Sequence, residues 1–248
     1  MFLENKSERV GVILIVTAYI GFLAADCILS TSPLVTLRDF GFDDEYLVGE
    51  MLSKHGYFGA NAYMKIYCCF FLIAVQIALP RSESVIICRC SSRQDYVNRE
   101  IRHILLYSIT FMAIHQTASV LFICNVFRLT EEAYIKLAWS LAIDFGIGGL
   151  YFLCMSLIFI ILRKILHRIV ISVVIVVLIN VVEYQLYPAV FVHFQEFLFP
   201  RSLSAPGAYF KGSCGLPEVV FTMILCVTKA VALCIIAGAV EEKRDVMQ

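Results

Sequence analysis

The chain has 248 residues, of which 60% are hydrophobic and only 16% charged, with 20 Lys and Arg against 20 Asp and Glu; its mean hydropathy is +0.82. Soluble domains run nearer to about 45–50% apolar and about 25% charged, so this composition excludes an ordinary water-soluble enzyme. The zero formal net charge leaves no basic excess for nucleic acid, and the information lies in where the charges sit.

A hydrocarbon core about 30 Å thick takes roughly 20 apolar residues as a helix, because only intrahelical hydrogen bonds satisfy the backbone there. The first such run is Val10 to Leu29. It is too long for a signal-peptide core, and Asp26-Cys27-Ile28 lacks the small-x-small pattern of a cleavage site, so it is expected to be a retained span. The polar stretch Ser30 to Asn61 follows, acidic through Asp39, Asp43, Asp44, Glu45 and Glu50, with Phe40, Phe42, Tyr46 and Tyr57 suited to packing at a membrane surface. Asp43-Asp44-Glu45 has carboxylates for a hard cation but neither the Gly nor the spacing of a calcium loop, and reads as a solvated acidic face.

Ala62 to Leu79 is the second span. The segment from Pro80 to Arg102 carries Arg81, Arg89, Arg93, Arg99 and Arg102. Ser92-x-x-Asp95 is a helix-start pattern, and Tyr96, Arg99 and Glu100 follow at helical spacing. A short amphipathic helix is expected here, lying in the headgroups or presented to a partner protein. Cys88-x-Cys90 has no second Cys pair or His at zinc spacing and reads as two reduced thiols.

The third and fourth spans are Ile104 to Val126 and Leu137 to Leu162. His115 and Gln116 lie midway along the third and Asp144 within the fourth, beside Gly146, Gly148 and Gly149, which mark close helix packing. Ile169 to Tyr187 is the fifth span. Pro188 to Glu218 is then apolar at Val190 to Phe199 and broken by Pro200 and Pro206, as in a re-entrant or interfacial half-helix. The sixth span, Val219 to Val240, contains Lys229. Ionisable residues inside spans are functional candidates, and a structural ion pair between Asp144 and Lys229 is the expected arrangement. The whole chain, 1–248, then forms one all-α transmembrane domain of six helices, since the longest gaps are each about 30 residues.

With the N-terminus inside, twelve Lys and Arg fall in inner segments and seven in the longer outer ones, so the bias of these residues toward the cytoplasm predicts both termini inside. Cys68, Cys69, Cys124, Cys154, Cys226 and Cys234 lie in apolar runs, which gives no disulfide framework. No Gly-x-Ser-x-Gly, His-Glu-x-x-His, phosphate-binding Gly loop or Cys-x-x-Cys is present, so no catalytic residue, metal site or cofactor is expected, and any ATP used must be hydrolysed by another chain.

Four features together carry a family resemblance: the polar outer segment after the first span, Val85-Ile86-Ile87-x-Arg89-x-x-Ser92-Arg93 leading into a basic helix, the Pro-broken apolar segment before the last span, and the terminal Glu242-Lys243-Arg244-Asp245-Val246. In layout the chain resembles the six-span membrane subunits of bacterial ABC type-2 permeases, in particular the small ones found with bacteriocin or lantibiotic export and immunity systems. The resemblance implies a cell-membrane export subunit for a peptide or amphipathic substrate, working as a homo- or heterodimer with a separate ATPase. It also implies that Ser92 to Arg102 is the coupling helix, with Tyr96, Arg99 and Arg102 at the ATPase, and that Val190 to Pro200 is a re-entrant outer element. The alternative reading is a membrane scaffold of immunity or signalling without transport activity.

Overall fold

A computed structural model of the chain describes residues 6–52, 63–78, 93–189 and 192–243, and every regular element among them is helical. In chain order these are α1 (Lys6–Asp39), α2 (Asp44–Leu52), a π-helical turn (Tyr63–Tyr67) running into α3 (Cys68–Ala78), α4 (Arg93–Val126), α5 (Glu131–Leu166), α6 (Ile169–Leu186) with a 3-10 turn (Tyr187–Ala189), the single turn α7 (Val192–Gln195), α8 (Phe199–Phe210) and α9 (Leu216–Lys243). Four of them, α4 (from Asp95), α5, α6 and α9, are long and apolar enough to cross a membrane, and the apolar stretches Val10–Ala25 and Tyr63–Ile77 are shorter. By that criterion the described residues supply four spans rather than the expected six.

The bundle is inside out relative to a soluble protein. Val170, Val174 and Leu178 of α6 and Val220, Ile224, Val231 and Ile235 of α9 point outward and are exposed, which in water would be a large aggregation-prone surface. α5 is the central helix: 61% of its apolar window is buried, against 33%, 17% and 22% for α4, α6 and α9, and α3, α4, α6, α8 and α9 all pack on it. Close approach is set by two of the three glycines noted in the sequence. A Cβ on Gly146 would stand 2.6 Å from Met223 Cε of α9, and one on Gly148 2.6 Å from Met112 Cε of α4, whereas Gly149 faces open space.

α5 starts at the N-cap Thr130, whose hydroxyl accepts from Ala133 N–H at 3.3 Å, and ends at His167, in the left-handed region at φ 52°. It therefore continues past the expected end at Leu162, and Arg163 and Lys164 belong to its last turn. Only His167 and Arg168 separate α5 from α6.

The outer end, named for the expected orientation, differs from the sequence reading in two places. α1 runs ten residues beyond Leu29, and α2 buries one face in the bundle while Phe40, Phe42 and Tyr46 stay exposed. Leu47, Val48, Met51 and Leu52 join Ile123, Phe127, Leu137 and Phe210 in a second apolar cluster. The acidic run organises this cap: Asp43 Oδ1 accepts from Tyr46 N–H at 2.6 Å, Asp44 accepts from Arg38 Nε at 2.8 Å and Arg128 N–H at 2.7 Å, and Glu45 accepts from the Thr130 hydroxyl at 2.6 Å. Asp43 thus caps α2 locally, and Asp44 and Glu45, though solvent-accessible, tie α2 to α1 and to the α4–α5 connection.

The second difference is α8. The helix expected to end at Pro200 begins at Phe199, because Pro in the first turn needs no intrahelical N–H partner. Its apolar face, with Phe199, Leu203, Pro206 and Phe210 buried, packs on α5, α2 and α9. Residues 190–191 of the expected re-entrant stretch lie outside the described residues, as do Cys88 and Cys90.

Candidate functional site

Polar side chains inside a membrane bundle are held where facing helices bring partners to them, and the described residues contain three such groups at different depths. The middle one surrounds Asp144 of α5. Gln116 Nε2 of α4 donates to Asp144 Oδ2 at 2.6 Å, and the Tyr63 hydroxyl donates to the same oxygen at 3.3 Å. His115, next along α4, shares a 2.9 Å hydrogen bond through Nδ1 with the Tyr19 hydroxyl of α1. Its ring meets Tyr63 and Tyr67 edge-on, with centroids at 4.7 and 5.2 Å. Tyr19 in turn stacks on Phe111 at 4.1 Å. At 1.5 Å per residue His115 and Asp144 lie about 16 and about 20 Å below the outer ends of their helices, near the centre of the bundle. Thus the structure brings Asp144, His115 and Gln116 into one buried network, joined by tyrosines that the sequence reading did not single out.

Lys229 is not part of it. Its Nζ donates to Phe197 O at 2.6 Å and stands 4.0 Å above the Phe199 ring. Glu183 of α6 accepts from Phe199 N–H at 2.6 Å, so a cation of α9 and a carboxylate of α6 hold the two ends of the α7–α8 bend. The expected Asp144–Lys229 ion pair does not form among the described residues. The reason is geometric: the α7–α8 segment passes over α5 and α9 and offers Lys229 a carbonyl nearer than Asp144.

The third group lies at the inner ends of α4, α5 and α9. Arg163 Nη2 stands 3.2 Å from Glu100 Oε1, and Lys164 Nζ lies 2.9 Å from Glu100 Oε2 and 2.8 Å from Glu241 Oε2. All four side chains are buried, and Lys164 also stands 5.3 Å over the Tyr96 ring. Two positive and two negative charges cancel inside the cluster, which is the condition under which buried charges are tolerated. Sequence reasoning treated Arg163 and Lys164 as loop cations. The signal that was present is the placement of Glu100 one turn from Val97 and Ile104, and of Glu241 one turn from Ala237, all on the buried faces of α4 and α9.

The expected coupling segment is also placed. Residues 93–102 do not form a separate surface helix; they are the first turns of α4, continuous with the membrane helix. Tyr96 is buried, while Arg99 and Arg102 are exposed on a shallow pocket lined with Asp95, Asn98, His103 and Leu106. No group of three or more His, Cys, Asp or Glu among the described residues is arranged to hold a metal ion. Comparison of the chain with family models, curated proteins and solved structures gives no match.

Proposed function

We propose that this chain is the membrane subunit of an ATP-driven exporter, crossing the cell membrane six times with both termini inside and drawing its energy from a separate ATPase. In this reading the two shorter apolar stretches in α1 and at the π turn and α3 are spans as well, and the subunit acts as a homo- or heterodimer on a peptide or amphipathic substrate. The observation that carries it is the buried four-charge cluster at the inner ends of α4, α5 and α9. A transporter subunit without a nucleotide site has to receive force at its inner surface, and an inner end locked by ion pairs moves three helices together. Because Tyr96 lies under Lys164, it supports that lock.

The test is purification of the full chain from its native membranes in mild detergent. A co-purifying chain with a phosphate-binding Gly loop, and ATP turnover that falls when Glu100→Gln and Glu241→Gln are combined, is the expected result. A pure preparation with neither an ATPase chain nor ATP turnover overturns the reading and favours the non-transporting scaffold.

A further inference from the structure

We infer that the inner edge of α4 holds the phosphate headgroup of an anionic phospholipid, with Arg99 and Arg102 as its ligands and Leu106 and Ile109 along its acyl chain. The inference rests on the membrane-spanning reading but not on the ATPase. Arg99, Arg102, Leu106, Ile109, Ala113 and Val120 recur at three-, four- and seven-residue spacing and are all exposed, so they form one stripe along the outward face of α4. The opposite face, with Tyr96, Glu100, Ile104, Phe111 and His115, is buried in the bundle. The two arginines thus continue, at the inner rim, the surface that faces lipid higher up.

Three observations make this a site and not a scatter of surface charge. Arg99 and Arg102 are one turn apart and line the same pocket as Leu106, which sets two guanidinium groups beside an apolar side chain at the start of the outward apolar stripe. Neither arginine has an ion-pair partner among the described residues, whereas the nearby Arg163 and Lys164 form ion pairs with Glu100 and Glu241. Asn98 and His103 add polar groups in the same pocket, and Asp95, also in its lining, leaves a net positive charge. Guanidinium groups match phosphate oxygens in geometry, and basic side chains at the inner surface attract anionic lipids.

The experiment is native mass spectrometry of the delipidated full chain titrated with phosphatidylglycerol or phosphatidylcholine. Two basic residues at the surface predict a preference for phosphatidylglycerol of roughly thirtyfold. Arg99→Gln with Arg102→Gln brings that ratio close to one, while Arg99→Lys with Arg102→Lys retains most of it. Lys243→Gln, at another exposed cation of the same end, leaves it unchanged. If the double Gln variant does not fold, Asn98→Glu, which adds a negative charge to the pocket, replaces it and lowers the preference severalfold. An unchanged preference in the folded variant overturns the inference. Displacement of phosphatidylglycerol by millimolar inorganic phosphate also overturns it and assigns the pocket to a soluble phosphate. Loss of a co-purifying ATPase in the double Gln variant with lipid preference intact overturns it as well, and gives the arginines to the ATPase.

Discussion

Lys164 Nζ holds two carboxylates from two different helices, and 1% of its side chain is exposed. Removing it leaves Arg163 to balance Glu100 and takes the Lys164 charge away from Glu241, which is 3% exposed. Breaking a buried pair in this way costs about 3–5 kcal/mol, so Lys164→Met is expected to lower the melting temperature of the purified protein strongly. Adding Glu241→Gln restores neutrality and recovers a large part of the loss; losses of Lys164→Met and Glu241→Gln that simply add in the double variant would show that the two charges do not depend on each other. The opposite outcome is expected at Asp144 and Lys229. They have separate partners, Gln116 and Tyr63 for the first and Phe197 O for the second, so the losses caused by Asp144→Asn and Lys229→Met should add. Marked non-additivity in the same melting assay would mean that the two side chains meet.

Helix by helix, legibility followed hydropathy. α6 and α9 are apolar almost throughout, and their predicted limits are close to the observed ones. α2 and α8 were harder because each buries only one face in a protein cluster, and a short amphipathic stretch outside the membrane has the same pattern whether it faces lipid or protein. Leu47 and Phe210 are the case in point: they share one cluster with Ile123, Phe127 and Leu137, which lie far from both in sequence. Leu47→Ala removes a fully buried side chain from that cluster and should cost about 2–5 kcal/mol of local packing. The measurable consequence is faster cleavage of the α1–α2 region by a protease added to the outer face. An unchanged cleavage rate would show that the cap is held by the Arg38–Asp44 and Glu50–Lys211 pairs and not by its apolar face.

For the molecule as a whole, composition alone pointed to a lipid environment, and the outward-facing apolar side chains of α6 and α9 agree with it. The polar network was legible only in part. His115, Gln116 and Asp144 were marked by being polar in apolar runs, but which of them meet depends on the rotation of α4 against α5, and the Tyr19 and Tyr63 partners come from α1 and the π turn. A tyrosine in a span carries no comparable warning in sequence. The orientation is tested through Cys214, in the turn between α8 and α9. Its thiol is pushed up from the ordinary value of 9.0 by burial first and by the Glu218 carboxylate second. Only the thiolate reacts, so in a chain with Cys214 as its sole cysteine an impermeant maleimide should label intact cells slowly at pH 7, and roughly tenfold faster for each unit by which the pH is raised while it stays below the thiol's pKa. Glu218→Gln removes one cause of the elevation and should speed labelling at fixed pH. A chain with Cys90 alone should label only after permeabilisation, because the Arg81 to Arg102 segment is expected inside. Labelling of Cys90 in intact cells with Cys214 protected until permeabilisation would invert the protein, and the four-charge cluster would then lie at the outer surface, out of reach of any ATPase.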